Sequence, residues 1–96
     1  MGKRIFEFDA VIRSSTSGKG GALVPVPFDI REVFGKGRVK VHATFDGEKY
    51  DGSIVNMGIA NPDGSICYVI GILKSIRATI GKQPGDSVRV TIQERD

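Results

Sequence analysis

Apolar and polar residues alternate most cleanly along Arg38–Phe45, where Val39, Val41, Ala43 and Phe45 are interleaved with Arg38, Lys40, His42 and Thr44. A period of two puts each set on its own face of a β-strand, so this segment is predicted to be a strand with one buried face. Asp46-Gly47 follows at once. That dipeptide is favoured in two-residue hairpins, so Tyr50, Gly52 and Ile54 are predicted to return along a partner strand. Phe6, Phe8, Ala10 and Ile12 form the apolar side of a first strand within Lys3–Arg13, while Ile5 and Val11 share the other side with Glu7 and Asp9. Ala22–Val26 reads as a second strand whose Pro25 and Pro27 favour an edge or a bulge. The turn Asn61-Pro62-Asp63-Gly64 leads into the wholly apolar strand Ile66–Ile70. A last strand spans Ser87–Glu94, with Val88, Val90 and Ile92 on one face.

Two short helices complete the pattern. Asp29 is placed to cap Ile30–Phe34 and Gly35 to end it; Leu73–Ile80 ends at Gly81, with Ile76 and Ile80 on one face and Leu73 three before Ile76. The two are related. Ile30-Arg31 and Ile76-Arg77 lie 46 positions apart, and the same offset pairs Asp29 with Ser75, Phe34 with Ile80 and Gly35 with Gly81. Val39-Lys40-Val41 and Val88-Arg89-Val90 repeat at 49, and Phe8–Ile12 echoes Tyr50–Ile54. Half of a 96-residue chain buries little core alone, so the halves are predicted to intertwine about a pseudo-two-fold in a single domain spanning 1–96. Six strands in this order fit a closed barrel, which leaves no bare edges.

Composition narrows the chemistry. One cysteine, Cys67, excludes an internal disulfide and a cysteine-cluster zinc site, and one histidine, His42, excludes a histidine-rich metal centre. No cofactor, metal site or catalytic residue is predicted. No apolar run of about 20 residues and no presequence is present, which predicts a soluble cytoplasmic protein with no membrane partner. The net charge of +3 inclines the chain toward anionic partners. The 13 glycines punctuate many short elements.

The chain resembles the DUF1905 family, AF2212-like small β-barrels of unassigned molecular function. The resemblance rests on the order of Gly20-Gly21 to Pro25-Val26-Pro27, the Phe34-Gly35 helix stop, the Val39 to Gly52 hairpin, Ile70 to Gly81 with Ile76-Arg77, and Gly85-Asp86-Ser87-Val88. It implies a mainly β, double-split barrel, a fold also used by dimeric DNA-binding proteins with swapped hairpins. Function does not follow from fold alone.

Three functional classes emerge. The leading expectation is a small interaction or ligand-binding module for an unidentified protein or small molecule. Arg31 and Arg77, each after the repeated isoleucine of a short helix, would take a carboxylate or phosphate. Tyr50 and Tyr68 would line a groove, with Lys19 in the Ser14–Gly21 loop as a further cation. That loop lacks the spacing of a nucleotide-triphosphate loop. The alternative is nucleic-acid binding through Arg38, Lys40 and His42, which share one strand face, and Arg89 in the second half. An enzyme is the third class, and His42, Cys67 and the acids supply no spacing that favours it. A monomer is expected, with a homodimer through Ile5 and Val11 as the other arrangement.

Overall fold

The computed structural model describes residues 4–14 and 21–95. Its strands are β1 (Ile5–Val11), β2 (Arg13–Ser14), β3 (Ala22–Pro25), β4 (Val39–Phe45), β5 (Glu48–Ala60), β6 (Ile66–Gly71) and β7 (Ser87–Glu94), with helices α1 (Ile30–Phe34) and α2 (Lys74–Ile80). All ladders are antiparallel, in the order β1-β7-β4-β5-β6-β3-β2. The two ends of this order flank Ile12 in one run of chain, so the sheet curls round until its first and last strands meet. The six strands predicted become seven because the first is interrupted at Ile12, whose backbone bonds Asp86 and Gly85 instead of continuing either ladder.

Alternation translates directly into packing. Val41, Phe45, Ile54, Ile70, Val88, Val90 and Ile92 are almost completely buried in one core, against which Phe6, Phe8, Ala10, Phe28, Phe34 and Tyr50 pack. The opposite residues of β1, Ile5 and Val11, are exposed. β6 is apolar throughout because both its faces are covered. Tyr68 and Ile70 enter the main core, while Cys67 and Val69 join Leu23, Val55 and Ile59 in a small second cluster on the other face. Pro25 pairs with β6 only, beyond the short β2–β3 ladder, where its missing N–H breaks no bond.

The ladders carry a half-turn. Ala43 lies opposite Ile92 and Val24 opposite Ile70, pairs separated in sequence by the same 49 and 46 positions as the repeats. Rotation about the line through both pairs carries β4 onto β7 and β3 onto β6. It also carries β1 onto the start of β5, placing Phe6 on Tyr50 and Phe8 on Gly52. The sequence echo, which matched Phe8 with Tyr50, is thus two residues out over this stretch. β5 passes from β4 to β6 at the single residue Ile54, which pairs with both Val39 and Ile70, whereas the first strand spends Val11 and Ile12 on the same corner.

The helices agree at their ends and differ at their starts. Gly35 and Gly81 adopt left-handed conformations, φ 72° and 70°, that a side chain disfavours. Asp29 caps α1 by accepting from the Arg31 N–H at 2.8 Å. Ser75 is not the equivalent cap. α2 begins earlier, with Leu73 as an N-cap that makes no side-chain bond, and the Ser75 carbonyl accepts from the Thr79 hydroxyl within the helix. Leu73 is consequently exposed rather than part of the buried stripe.

Candidate functional site

At one end of the barrel, a cavity of about 400 Å³ opens between the start of β3, the end of β6, α2 and the Tyr50 side chain of β5. Gly21, Ala22, Tyr50, Gly71, Ile72, Leu73, Lys74 and Arg77 line it. Two of the predicted ligand residues, Tyr50 and Arg77, are brought together here from opposite sides of β6. Lys74 joins them one helical turn before Arg77, since positions three apart share a helix face. None of the described lining residues carries a carboxylate, so the groove is cationic.

Gly52 shapes this groove, because the Tyr50 ring lies across it. A β-carbon at Gly52 would fall 2.4 Å from ring carbon Cε2, closer than side-chain contacts allow. The ring also tilts against Phe45, with centroids 6.1 Å apart. Tyr50 is thereby held half in the core with its outer part on the groove.

The half-turn exposes what distinguishes the two ends. Positions Tyr50, Gly52, Lys74 and Ile80 correspond to Phe6, Phe8, Phe28 and Phe34. Those four phenylalanines pack ring against ring, with centroid separations from 5.1 to 6.4 Å. One end carries four packed aromatic rings; at the other, glycine and lysine replace two of them and the Tyr50 ring borders the groove.

Sequence comparison agrees with this architecture. The model of the domain of unknown function DUF1905 matches residues 8–92. The chain belongs to the DUF1905 family. No curated protein matches it.

Other predicted site residues of this DUF1905 domain are placed differently. Tyr68 is buried, 2% exposed, and is a core residue instead of a groove residue. Its parity with Ile70 points it inward. Arg31 does not share the groove with Arg77: it lies on the surface of α1 with its guanidinium across Gly37, where a β-carbon would meet Nη2 at 3.1 Å. Lys19 lies outside the described residues.

The basic strand face of the domain is interleaved with acids. His42 Nδ1 sits 2.6 Å from Asp51 Oδ1, and Arg89 Nε lies 3.1 Å from Asp9 and 3.9 Å from Glu7. The hydrogen bond from His42 lowers the Asp51 carboxyl from its ordinary range. Arg38 and Lys40 are exposed beside them. His42, Asp51, Thr44 and Thr91 border an outer depression of about 320 Å³ over the β4–β7 seam, where the two threonine hydroxyls bond each other. A third cavity, about 440 Å³, lies between Val26–Asp29 and the 61–66 turn. Its two carboxylates are engaged locally: Asp29 caps α1, and Asp63 accepts from the backbone and hydroxyl of Ser65, which lowers its carboxyl.

Among the described residues no three His, Cys, Asp or Glu side chains form a metal-binding group. No helix among them is long and apolar enough to cross a membrane.

Sequence reasoning missed Lys74 and Gly52. The signal for Lys74 was its spacing of three from Arg77. Gly52 read only as a position in a returning strand, because its contact depends on where the Tyr50 ring lies.

Proposed function

We propose that this DUF1905 domain is a ligand-binding module whose site is the Tyr50–Lys74–Arg77 groove and whose ligand is a small organic anion. The carrying observation is the difference in chemistry between the two ends of the barrel: at the half-turn equivalent of the groove Phe6, Phe8, Phe28 and Phe34 pack together, and the cavity beside Phe28 carries the acids Asp29 and Asp63. The cavity at the second end instead carries two cations and an aromatic wall.

Each element has a chemical role. The Arg77 guanidinium offers a planar fork to a carboxylate or phosphate, Lys74 adds a mobile point charge, and the Tyr50 ring with Ile72 and Leu73 receives an apolar portion. The half-buried position of Arg77 shields it from bulk water, which strengthens a charge-assisted bond relative to an exposed arginine such as Arg31.

The test is equilibrium binding of aromatic and aliphatic carboxylates and phosphates to the wild-type protein, Arg77→Gln and Arg31→Gln. Loss of a charge-assisted bond predicts about tenfold or greater weakening in Arg77→Gln. Arg31→Gln should bind like the wild type. Equal weakening by both substitutions, or no binding to the wild type, would refute the assignment.

A further inference from the structure

We infer that the groove selects a dianionic head group, that of a phosphate monoester carrying a flat apolar substituent, over a monoanion of the same shape. This rests on the reading of the groove as an anion site and adds the class of ligand. Lys74 and Arg77 both line the cavity, and none of its described lining residues is acidic. Their separation of three positions puts their β-carbons about 5–6 Å apart, so both heads reach a single tetrahedral group. A carboxylate engages one planar guanidinium with its two oxygens and leaves the lysine charge unbalanced. A phosphate monoester carries about −1.5 to −2 charge near neutral pH and three acceptor oxygens, enough for the guanidinium and the ammonium together.

The remaining wall specifies the other end of the molecule. Tyr50 is fixed between Phe45 and the bare backbone of Gly52, with part of its ring on the groove, and Ile72 and Leu73 add apolar lining at the exit from β6. A cavity of about 400 Å³ accommodates one aromatic ring and its phosphate with room for a modest extension. The equivalent end offers no such cationic site: Phe28 stands where Lys74 stands here, and the cavity beside it carries Asp29 and Asp63.

The proposal makes ligand charge, at constant shape, the controlling variable. Phenyl phosphate and phenyl sulfate are matched probes: the sulfate remains a monoanion, while the phosphate monoester takes its second negative charge with a pKa of about 6. The titratable groups facing the ligand are Tyr50, Lys74 and Arg77, and no carboxylate or imidazole is among the described lining residues. The change between pH 5 and pH 7.5 therefore belongs to the ligand.

Calorimetric or NMR titration of the intact protein with both probes, at both pH values, provides the test. At pH 7.5 phenyl phosphate should bind about tenfold more tightly than phenyl sulfate, and at pH 5 the two should agree within about twofold. Lys74→Gln should abolish the phosphate advantage, so that the two probes bind the variant within about twofold of each other at pH 7.5. Equal affinities at pH 7.5, or an advantage that survives in Lys74→Gln, would overturn the dianion assignment and leave the anion groove standing. Binding of neither probe would overturn both. Circular dichroism of Lys74→Gln separates lost binding from lost folding.

Discussion

Asp46 joins the two halves at the hairpin between β4 and β5, and replacing it yields a prediction with a defined pH dependence. Its φ of 49° makes it the one described non-glycine residue with a left-handed backbone, followed by Gly47 at 88°. The pair forms the tight hairpin, and Asp46 also reaches across to β7. Its N–H donates to the Arg89 carbonyl at 2.8 Å, its Oδ1 accepts from the Arg89 N–H at 2.8 Å, and its Oδ2 lies 3.1 Å from Lys82 Nζ. The Arg89 N–H is the main cause holding the carboxyl below its ordinary range, with Lys82 adding to it.

Asp46→Ala removes an ionic hydrogen bond worth about 1.5–3 kcal/mol. It adds about 1 kcal/mol of backbone strain, because alanine lacks the local bonding that lets aspartate adopt this conformation. Side-chain exposures of 27% and 32% confine the Lys82 pair to about 1 kcal/mol or less. The expected loss is about 2.5–5 kcal/mol at pH 7, or roughly 10–40 °C in Tm for a domain of this size. Asp46→Asn keeps the acceptor and tolerates the backbone, so its loss should be about 1 kcal/mol.

The sign of the pH effect follows from the depressed carboxyl. Its stabilisation is fully present above the unfolded-state value and disappears as pH falls through the lower folded-state value. Urea unfolding from pH 7 to pH 2.5 should therefore show the wild-type advantage over Asp46→Ala narrowing below about pH 4. A constant gap across that range, or Asp46→Asn as damaging as Asp46→Ala, would refute the reasoning.

Other substitutions test the core and the groove. Phe45→Ala, at a completely buried site, should lower unfolding free energy by about 3–5 kcal/mol in a denaturant titration, against about 1 kcal/mol or less for the exposed Arg89→Gln. Gly52→Ala should cost about 1–3 kcal/mol by displacing the Tyr50 ring; in a Tyr50→Ala background the same change should cost much less, and equal cost in a double-mutant cycle would disprove the contact. His42→Ala should raise the Asp51 carboxyl titration toward its ordinary range in a carbon-13 NMR experiment, and an unchanged midpoint would show that the His42 bond does not set it.

How much of this was legible in the sequence depended on whether a local pattern had one physical reading. β4 was readable because only one of its faces is apolar, and α1 because Asp29 and Gly35 mark both ends. The span of α2 was readable too, as Leu73–Ile80, but its cap was not, since Leu73 begins the helix without a side-chain bond and Ser75, which the repeat pairs with Asp29, lies inside it. Both faces of β6 are apolar, so the alternation of Tyr68 with Cys67 and Val69 did not reveal which side faced the main core. The repeat in the helices was visible at constant offset, whereas the first strand was misaligned by the extra residues at its corner. The contrast between Phe8 and Gly52, and between Phe28 and Lys74, emerged only after strand register had related those positions. Arg31 and Arg77 look equivalent in sequence; burial and neighbours separate them.

The most direct measurement of the central claim is a nitrogen-15 NMR titration with phenyl phosphate followed amide by amide. The account predicts saturable shifts concentrated at 50–52 and 71–77, with the related positions 6–8 and 26–31 unmoved. Shifts confined to the Arg38–Lys40–Arg89 strand face, or equal shifts at both ends of the barrel, would contradict it.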